Sequence, residues 1–338
     1  MPQNISSYID HHKLPLKLRP ILVGELHLAR KLNNPVYILK DGLFHAAIGA
    51  GSVPTKEQII YLIKSLHREV YVHRADRNEI KGNLETALVK VTRSLSIGDP
   101  LENGNKGVKL LTLNLSSLYQ NPHNDDLLML QFQGSQNLGK FLIENKKHLP
   151  NYFQNLNQEN FHYTLSQPML SSVLLLAFLQ STHLFHEKEI EHLFLTSYFK
   201  DIGIAMIPSS KYDAKSLSER DKELFSHHTD YSFSLLDGRI PLSKNYLHII
   251  KNHHFLNDKM KAIIQGQKND DADSEMILGL ESTLVAVFDI LVAMTNDRPY
   301  RRGISLFQSL EVIKKMMADE YPQEFKALVS FLRQFFKN

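Results

Sequence analysis

The feature that most constrains this chain is the helical spacing of its apolar residues, which begins near residue 108 and continues to the C-terminus. Apolar residues recur at intervals typical of amphipathic helices in eight runs. The runs cover about 127–145, 169–186, 188–199, 217–236, 243–254, 277–295, 305–318 and 322–336. Within the sixth, residues 284–292 are hydrophobic all round, which is typical of a helix buried in a core. The pattern predicts an all-helical domain.

The first third of the chain has a different pattern. Two short β-like runs, 36–39 and 43–48, flank Asp41-Gly42, a strong hairpin signal. Thr55 and Gln58 form a predicted capping box at the start of a helix, and residues 70–72 predict a third strand.

Two polar stretches are predicted loops, 96–107 and 265–274. The first marks a domain boundary. We therefore predict an α+β protein, with a small mixed α/β domain of regulatory type over 1–105 and a helical domain over 106–338.

Composition excludes several classes of protein. There is no cysteine among the 338 residues, so disulfides, thiolate metal sites and cysteine nucleophiles are ruled out. A net charge of +3 is too small to predict a DNA partner. No apolar stretch reaches the roughly 18 residues of a membrane helix. The N-terminus lacks the apolar segment of a secretory signal, so we expect a cytoplasmic protein without a membrane partner.

Candidate metal ligands emerge from the polar residues that share apolar helix faces. These inward-facing positions are Asp201, His228, His253, His254 and Asp289. Three imidazoles and two carboxylates in a helical core favour a transition metal, iron or manganese first and zinc as a possibility, as one or two ions. The alternative is that each histidine is a hydrogen-bonded core residue and each aspartate a cap or ion-pair partner.

The spacing of these residues resembles a known family. Residues 165–320 resemble the HD-GYP domain, the bacterial branch of the HD superfamily of metal phosphohydrolases, which hydrolyses cyclic di-GMP. The matching stretches are LTSYFKDIGIAMIPSS (195–210), ELFSHHTDYSFSLL (223–236), YLHIIKNHH (246–254) and LVAVFDILVAMTNDRPYRRGIS (284–305). The resemblance implies a metal-dependent phosphodiesterase, with Arg298 and Arg301 of the D-R-P-Y-R segment contacting substrate phosphate. Their alternative role is that of surface charges at a helix end.

The chain also departs from the family pattern. Lys200 stands in place of the HD histidine, Gln167 to Met169 stand near the upstream histidine, Ile204 replaces a lysine, and the Gly-Tyr-Pro triplet is missing. By resemblance, one metal position keeps Asp201, His228, His253 and His254, whereas the other keeps only Asp201 and Asp289. Lys200 either pairs with Asp289 or extends to solvent.

Two functional hypotheses follow. The first is an unconventional HD-GYP-like phosphodiesterase in which hydrolysis is weak or lost, with Asp201 and Lys200 as its catalytic residues. Its ligand would be cyclic di-GMP or a related phosphate ester, and a signalling protein is a possible partner. The alternative is an inactive nucleotide-binding or protein-interaction domain whose metal is structural.

Overall fold

A computed structural model describes residues 14–65, 67–159, 161–214, 216, 218–265, 279–298, 301–317 and 319–337. The chain divides into two compact units, Met1–Lys90 and Val91–Asn338. The boundary between the two units lies within a helix. The sequence places the boundary between its two domains further along the chain, after residue 105. A four-stranded sheet lies in the first unit, and the second is helical, so the predicted α+β class is confirmed.

The first unit is built on an antiparallel sheet with strand order β1-β4-β2-β3. Its strands are β1 (Leu18–Leu22), β2 (Val36–Lys40), β3 (Leu43–Ile48) and β4 (Glu69–His73). Its helices are α1 (Leu14–Lys17), α2 (Lys56–Lys64) and α3 (Arg74–Arg93), the last of which continues past Lys90. The predicted hairpin, helix and strand are all present, and α1, β1 and α3 are additions to them.

Local chemistry explains the hairpin and the start of α2. Asp41 and Gly42 have φ angles of 52° and 77°, the left-handed pair that a two-residue hairpin turn requires. The Gln58 amide N–H donates to Thr55 Oγ1 at 3.3 Å, and the Thr55 amide N–H donates to Gln58 Oε1 at 2.9 Å. The predicted capping box is therefore present. Ile59 and Leu62 of α2 pack into the apolar core over the sheet.

The second unit contains twelve further helices within the part of the chain that is described. They are α4 (Pro100–Gln120), α5 (Asp125–Glu144), α6 (Leu149–Gln158), α7 (Tyr163–Thr182), α8 (Glu187–Phe199), α9 (Glu219–Ser226), α10 (His228–Leu236), α11 (Lys244–Asn252), α12 (Asn257–Ile264), α13 (Leu280–Thr295), α14 (Leu306–Met317) and α15 (Pro322–Phe335). The most apolar, α13, is buried along nearly its whole length and packs on α7, α8, α11 and α14. None of the described helices is both long enough and apolar enough to cross a bilayer.

Two sequence expectations about this unit are wrong. Residues 96–107 are not one loop, because α4 begins at Pro100 with the Asp99 carboxylate accepting from the Glu102 amide at 2.8 Å. Proline at a first helical position and aspartate at the N-cap are starting signals that outweigh the glycines. The predicted helix 217–236 is also interrupted, at His227. The predicted loop 265–274 falls outside the described residues, except for Gln265.

Candidate metal centre and its cavity

Four of the predicted ligands form one compact cluster. The donor atoms of Asp201, His228, His253 and His254 all lie within 4.8 Å of one another. Asp201 Oδ1 is 3.2 Å from His253 Nε2 and 3.4 Å from His228 Nε2, and the Nε2 atoms of His228 and His254 are 3.1 Å apart. The side chains come from three separate segments of the chain, which only folding brings together.

Asp201 is held at the cluster by a short turn that follows α8. The chain leaves α8 through Lys200 and enters a 3₁₀ turn, Ile202–Met206. Ser232 of α10 fastens this turn, because its hydroxyl donates to the Lys200 carbonyl at 2.6 Å and accepts from the Gly203 amide at 2.8 Å. Gly203 is required at this point, since a Cβ there would overlap the backbone of His228 and Ser232.

Backbone carbonyls orient two of the imidazoles. His228 Nδ1 donates to the Phe225 carbonyl at 2.5 Å, and His253 Nδ1 donates to the Ile250 carbonyl at 2.7 Å. Each contact directs Nε2 toward Asp201, the arrangement that metal-binding histidines commonly have. The first contact also explains the interruption at His227. In a continuous helix, the backbone N–H of Thr229 would donate to the Phe225 carbonyl, but here the His228 ring donates to that carbonyl.

The donor set fits a transition metal. Ligand atoms about 2.1 Å from a shared ion lie roughly 3–4 Å apart, and the separations of 3.1, 3.2 and 3.4 Å given above fall in this range. Two imidazole nitrogens at 3.1 Å also need a proton or a cation between them, because two lone pairs cannot hydrogen-bond to each other. Asp201, His228, His253 and His254 are therefore the residues that would hold the ion.

Asp289, the fifth predicted ligand, has different partners. Its Oδ1 accepts from Lys200 Nζ at 2.8 Å and from Gln167 Nε2 at 2.6 Å. Lys200 Nζ also lies 2.5 Å from Asp201 Oδ2. Of the two positions that the sequence left open for Lys200, the structure shows the ion pair, and the side chain is 0% exposed. The Asp201 carboxylate thus faces imidazoles with one oxygen and an ammonium with the other.

Burial and charge pairing act against each other in these groups. Burial raises the pKa of Asp201, but the Lys200 ammonium and the hydrogen bonds of His228 and His253 outweigh it and hold that pKa well below its ordinary value. Burial likewise raises the pKa of Asp289, but the charges of Lys200, His253 and His254 together outweigh it and hold that pKa below its ordinary value. Both carboxyl groups are therefore ionised near pH 7, which suits metal binding.

The pKa values of the two imidazoles that meet at 3.1 Å are shifted in opposite directions. Burial lowers the pKa of His228, but the hydrogen bond and negative charge of Asp201, the Phe225 carbonyl and the charge of Asp289 together outweigh burial, and the pKa lies above its ordinary value. Burial, together with the neighbouring His253 and His228, holds the pKa of His254 well below its ordinary value. A bound cation would displace the proton from His228, because metal ligands must be deprotonated.

A cavity of about 480 Å³ opens onto the cluster. Asp201, His228, His254 and Asp289 contribute to its wall, and cationic and aromatic side chains form much of the remainder. These are Tyr163, Lys211, Tyr212, Lys222, Lys261 and Arg298. Lys200 is not among the described residues that line the cavity, so it lies behind the two aspartates. A ligand in this cavity would contact the exposed side of the cluster and the cationic side chains of the cavity wall.

The two predicted phosphate-binding arginines occupy different places. Arg298 lines the cavity, and its guanidinium carbon lies 4.0 Å from the centroid of the Tyr163 ring. Arg301 instead donates to the carbonyls of Ala293 at 2.6 Å and Met294 at 3.3 Å, near the C-terminus of α13. Among the described residues, Arg298 lines the cavity and Arg301 does not. Pro299 and Tyr300 of the same motif lie outside the described residues.

Sequence reasoning missed the aromatic part of the cavity wall. The candidate metal ligands are recognised as polar residues on apolar helix faces. Tyr163 is the first residue of α7 and Tyr212 lies in a loop, so neither gives that signal. Pro168 could have drawn attention to this part of α7, because proline inside a helix lacks the N–H that would reach the carbonyl of Thr164. The Tyr119 hydroxyl donates to that carbonyl at 3.0 Å instead.

Comparisons with known proteins agree with this architecture. Residues 161–324 match the family model described as HD domain. The solved structure of Bd1817, described as a HDG"Y"P protein from Bdellovibrio bacteriovorus, aligns with a TM-score of 0.63 and covers 94% of this chain and 99% of that chain. At 15% sequence identity, this likeness shows the fold alone. No curated protein matches the chain.

The matched segment contains every residue of the cluster, together with Lys200, Gln167 and Asp289. The predicted resemblance is therefore confirmed: residues 161–324 are similar to the HD domain, and the chain has the fold of an HD-GYP protein.

Proposed function

We propose that the helical unit is a metal-dependent binding site for cyclic di-GMP or a related phosphate ester, with weak or lost hydrolysis. The observation that carries this proposal is the position of the four-residue cluster in the wall of a cation-rich cavity. Asp201 and the three histidines hold the ion, which we expect to be iron or manganese, with zinc as a further candidate. When bound, such an ion supplies Lewis acidity toward a phosphate oxygen and lowers the pKa of water.

Side chains of the cavity wall bind the ligand. Arg298 offers a planar guanidinium that matches two phosphate oxygens, and its contact with the Tyr163 ring limits the orientations it can take. Lys211 and Lys222 add positive charge, partly balanced by ion pairs with Asp221 at 2.8 Å and Glu219 at 2.6 Å. Arg301 supports this wall indirectly through its hydrogen bonds to the end of α13.

Weak hydrolysis follows from the position of Lys200. The ammonium is completely buried and contacts Asp201 and Asp289 from behind, so it does not touch a ligand in the cavity. It is a positioning residue rather than a catalytic one. Asp201 contacts the ion and remains the candidate catalytic residue. With Lys200 between the two aspartates, a single ion in the cluster would have no second ion beside it to act on both the attacking and leaving oxygens.

The second candidate function is a domain that binds a nucleotide or a protein partner around a structural metal. The Lys200 ion pairs favour it, because they stabilise the two aspartates without any ligand. Structural metal sites are closed, however, and three of the four ligands here line an open cavity. That access favours a site that meets a ligand.

Metal content tests the cluster. The protein purified without chelator should carry about one transition-metal ion per chain by elemental analysis, and His253→Ala/His254→Ala should lose it. The matched control is His123→Ala/His248→Ala, which removes two histidines outside the cluster and should keep the metal. A site variant with the wild-type metal content would refute the proposed ligands.

Ligand binding tests the cavity. Calorimetric titration with cyclic di-GMP should show binding that Arg298→Ala weakens at least tenfold, because a charged, oriented donor to phosphate is removed. The control Arg333→Ala, at an exposed position of α15, should bind like the wild type. A hydrolysis assay on the same samples separates the two candidates: slow turnover supports the phosphodiesterase, and tight binding without product supports the non-hydrolytic domain. No binding by the wild type would reject cyclic di-GMP as the ligand.

A further inference from the structure

The position of Lys200 points to how many ions the cluster can hold. Asp201 Oδ2 and Asp289 Oδ1 belong to different segments and converge on the Lys200 Nζ atom, at 2.5 Å and 2.8 Å. Two buried carboxylates that face one point require a cation at that point. Here the chain itself supplies it.

We propose that Lys200 is a permanent internal cation that takes the place of a second metal ion, so that the cluster binds one divalent ion and excludes a pair. This inference rests on the proposed metal site. An ammonium supplies positive charge and N–H donors, but it has no coordination positions and no Lewis acidity. It stabilises the aspartates and contributes nothing to the activation of water.

Gln167 reinforces the exclusion. Its Nε2 donates to Asp289 Oδ1 at 2.6 Å, so an N–H group, rather than a lone pair, is directed at the carboxylate. A metal ion near Asp289 would meet this donor and the ammonium together, and both repel a cation. Lys200 and Gln167 thus direct N–H groups at Asp289, at the place where a second metal ion would need ligand atoms with lone pairs.

The other oxygen of Asp201 remains available. Asp201 Oδ1 faces the imidazoles at 3.2 Å and 3.4 Å, on the side of the carboxylate away from Lys200. Because Lys200 neutralises one of the two negative charges, a single divalent ion among the histidines leaves the group of two aspartates, lysine and ion with a net charge of +1. A second divalent ion would raise that charge to +3 in a buried site, at a high electrostatic cost.

The test is a titration of the chelator-treated, full-length protein with Mn²⁺, followed by elemental analysis and electron paramagnetic resonance. After incubation with excess metal and removal of the unbound ions by gel filtration, the wild type should retain one Mn²⁺ per chain and show the six-line spectrum of an isolated ion. Lys200→His/Gln167→His, which replaces both donors with imidazoles, should bind two ions and show the weakened signal of a coupled pair. Lys109→His/Gln136→His changes the same residue types at ion-paired and hydrogen-bonded positions elsewhere and should bind one ion.

Each outcome decides the inference. Two coupled ions in the wild type overturn it whether or not the double variant folds, and one ion in a folded Lys200→His/Gln167→His variant overturns it as well. If the wild type binds one ion that His253→Ala/His254→Ala also retains, the proposed ligands fail separately. If the wild type binds none, the proposed metal function and this inference fail together.

Discussion

Lysine at position 200 decides the electrostatics of the whole site. Burial lowers the pKa of Lys200, but the charges of Asp201 and Asp289 outweigh it, so the pKa lies above its ordinary value and the ammonium stays charged. A histidine at this position would be only partly protonated near neutral pH, so its positive charge would vary with pH. One side chain therefore determines whether the two carboxylates are stabilised by the protein or depend on a metal.

Removing this charge should destabilise the fold. Lys200→Met keeps a similar length but leaves two buried carboxylates without their cation, which typically costs about 3–5 kcal/mol. Chemical denaturation of the metal-free protein should show this loss in the free energy of unfolding. Lys244→Met, which removes the more exposed partner of Asp237, should change stability far less. Equal effects of the two substitutions would contradict the role of Lys200 as a buried counter-charge.

At the scale of elements, short connections rather than long helices place the ligands. Asp201 lies between α8 and a 3₁₀ turn, His228 begins α10, and His253 and His254 follow the end of α11. Helix ends allow a side chain to leave the apolar face and allow the backbone to offer free carbonyls. The carbonyls of Phe225 and Ile250 serve that purpose for His228 and His253.

The turn after Asp201 gives an element-scale prediction. In Gly203→Ala the added methyl group would overlap the His228 carbonyl and the Ser232 amide, and rotation of a side chain cannot relieve a clash with backbone. We expect a loss of roughly 3 kcal/mol or more in stability and a reduced metal content. Gly82→Ala, in α3 with open space around it, should be neutral or slightly stabilising. Retained metal and stability in Gly203→Ala would show that this turn tolerates displacement.

A buried carboxyl in the first unit predicts a pH dependence of its own. Glu25 Oε1 pairs with Lys81 at 2.9 Å, and Oε2 has no hydrogen-bond partner among the described residues. Burial raises the pKa of Glu25 above its ordinary value of 4.5, and the opposing attraction of Lys81 is smaller. The folded state therefore binds this proton more tightly than the unfolded state, and this group's contribution to stability falls as pH rises above about 4.5.

Glu25→Gln should remove that dependence. The variant and the wild type should unfold with similar free energies at pH 4, where Glu25 is largely protonated. The variant should become relatively more stable as the pH rises toward 7, by about 1.4 kcal/mol for each unit by which the pKa is raised. Calorimetric unfolding of the full chain from pH 4 to 7 measures this difference. A variant that becomes relatively less stable toward pH 7 would mean that the ion pair with Lys81 outweighs burial.

At the scale of the whole molecule, the site exists because the helical unit brings distant segments to one cavity. Residues from α7, α10 and α13, and from the turns after α8 and α11, line the cavity or the cluster beneath it. Residues 161–324 are similar to the HD domain, and within this segment Lys200 and Gln167 are the groups that contact Asp289. The proposed hydrolysis would depend on all of these groups together.

We therefore expect cyclic di-GMP turnover well below about 1 per second, and no recovery in Lys200→His alone. One imidazole still leaves the Gln167 donor against Asp289, and catalytic groups that act as a unit do not return one at a time. Chromatographic detection of the linear product over hours measures both proteins. Turnover at ordinary enzyme rates in the single variant would show that Lys200 is the sole obstacle to hydrolysis.

Periodicity and local capping by themselves determined much of the fold. The hairpin at Asp41-Gly42, the capped start of α2 and the buried α13 follow from interactions within a few residues along the chain. The four residues of the cluster were also identifiable as candidate ligands, because a histidine or aspartate on an apolar face must find a partner when it is buried. The hairpin and the helix cap are local, and the position of a polar residue on an apolar helix face can be read from the spacing, so the sequence carries these features directly.

Tertiary structure alone decided which partner each buried group has. Gln167 and Asp289 are 122 positions apart in the chain, and their hydrogen bond depends on how α7 packs against α13. Arg298 and Arg301 stand three residues apart in one motif, yet one lines the cavity and the other bonds to helix carbonyls. The direction of a side chain at a helix end depends on the neighbouring segments, and spacing along the sequence does not encode it.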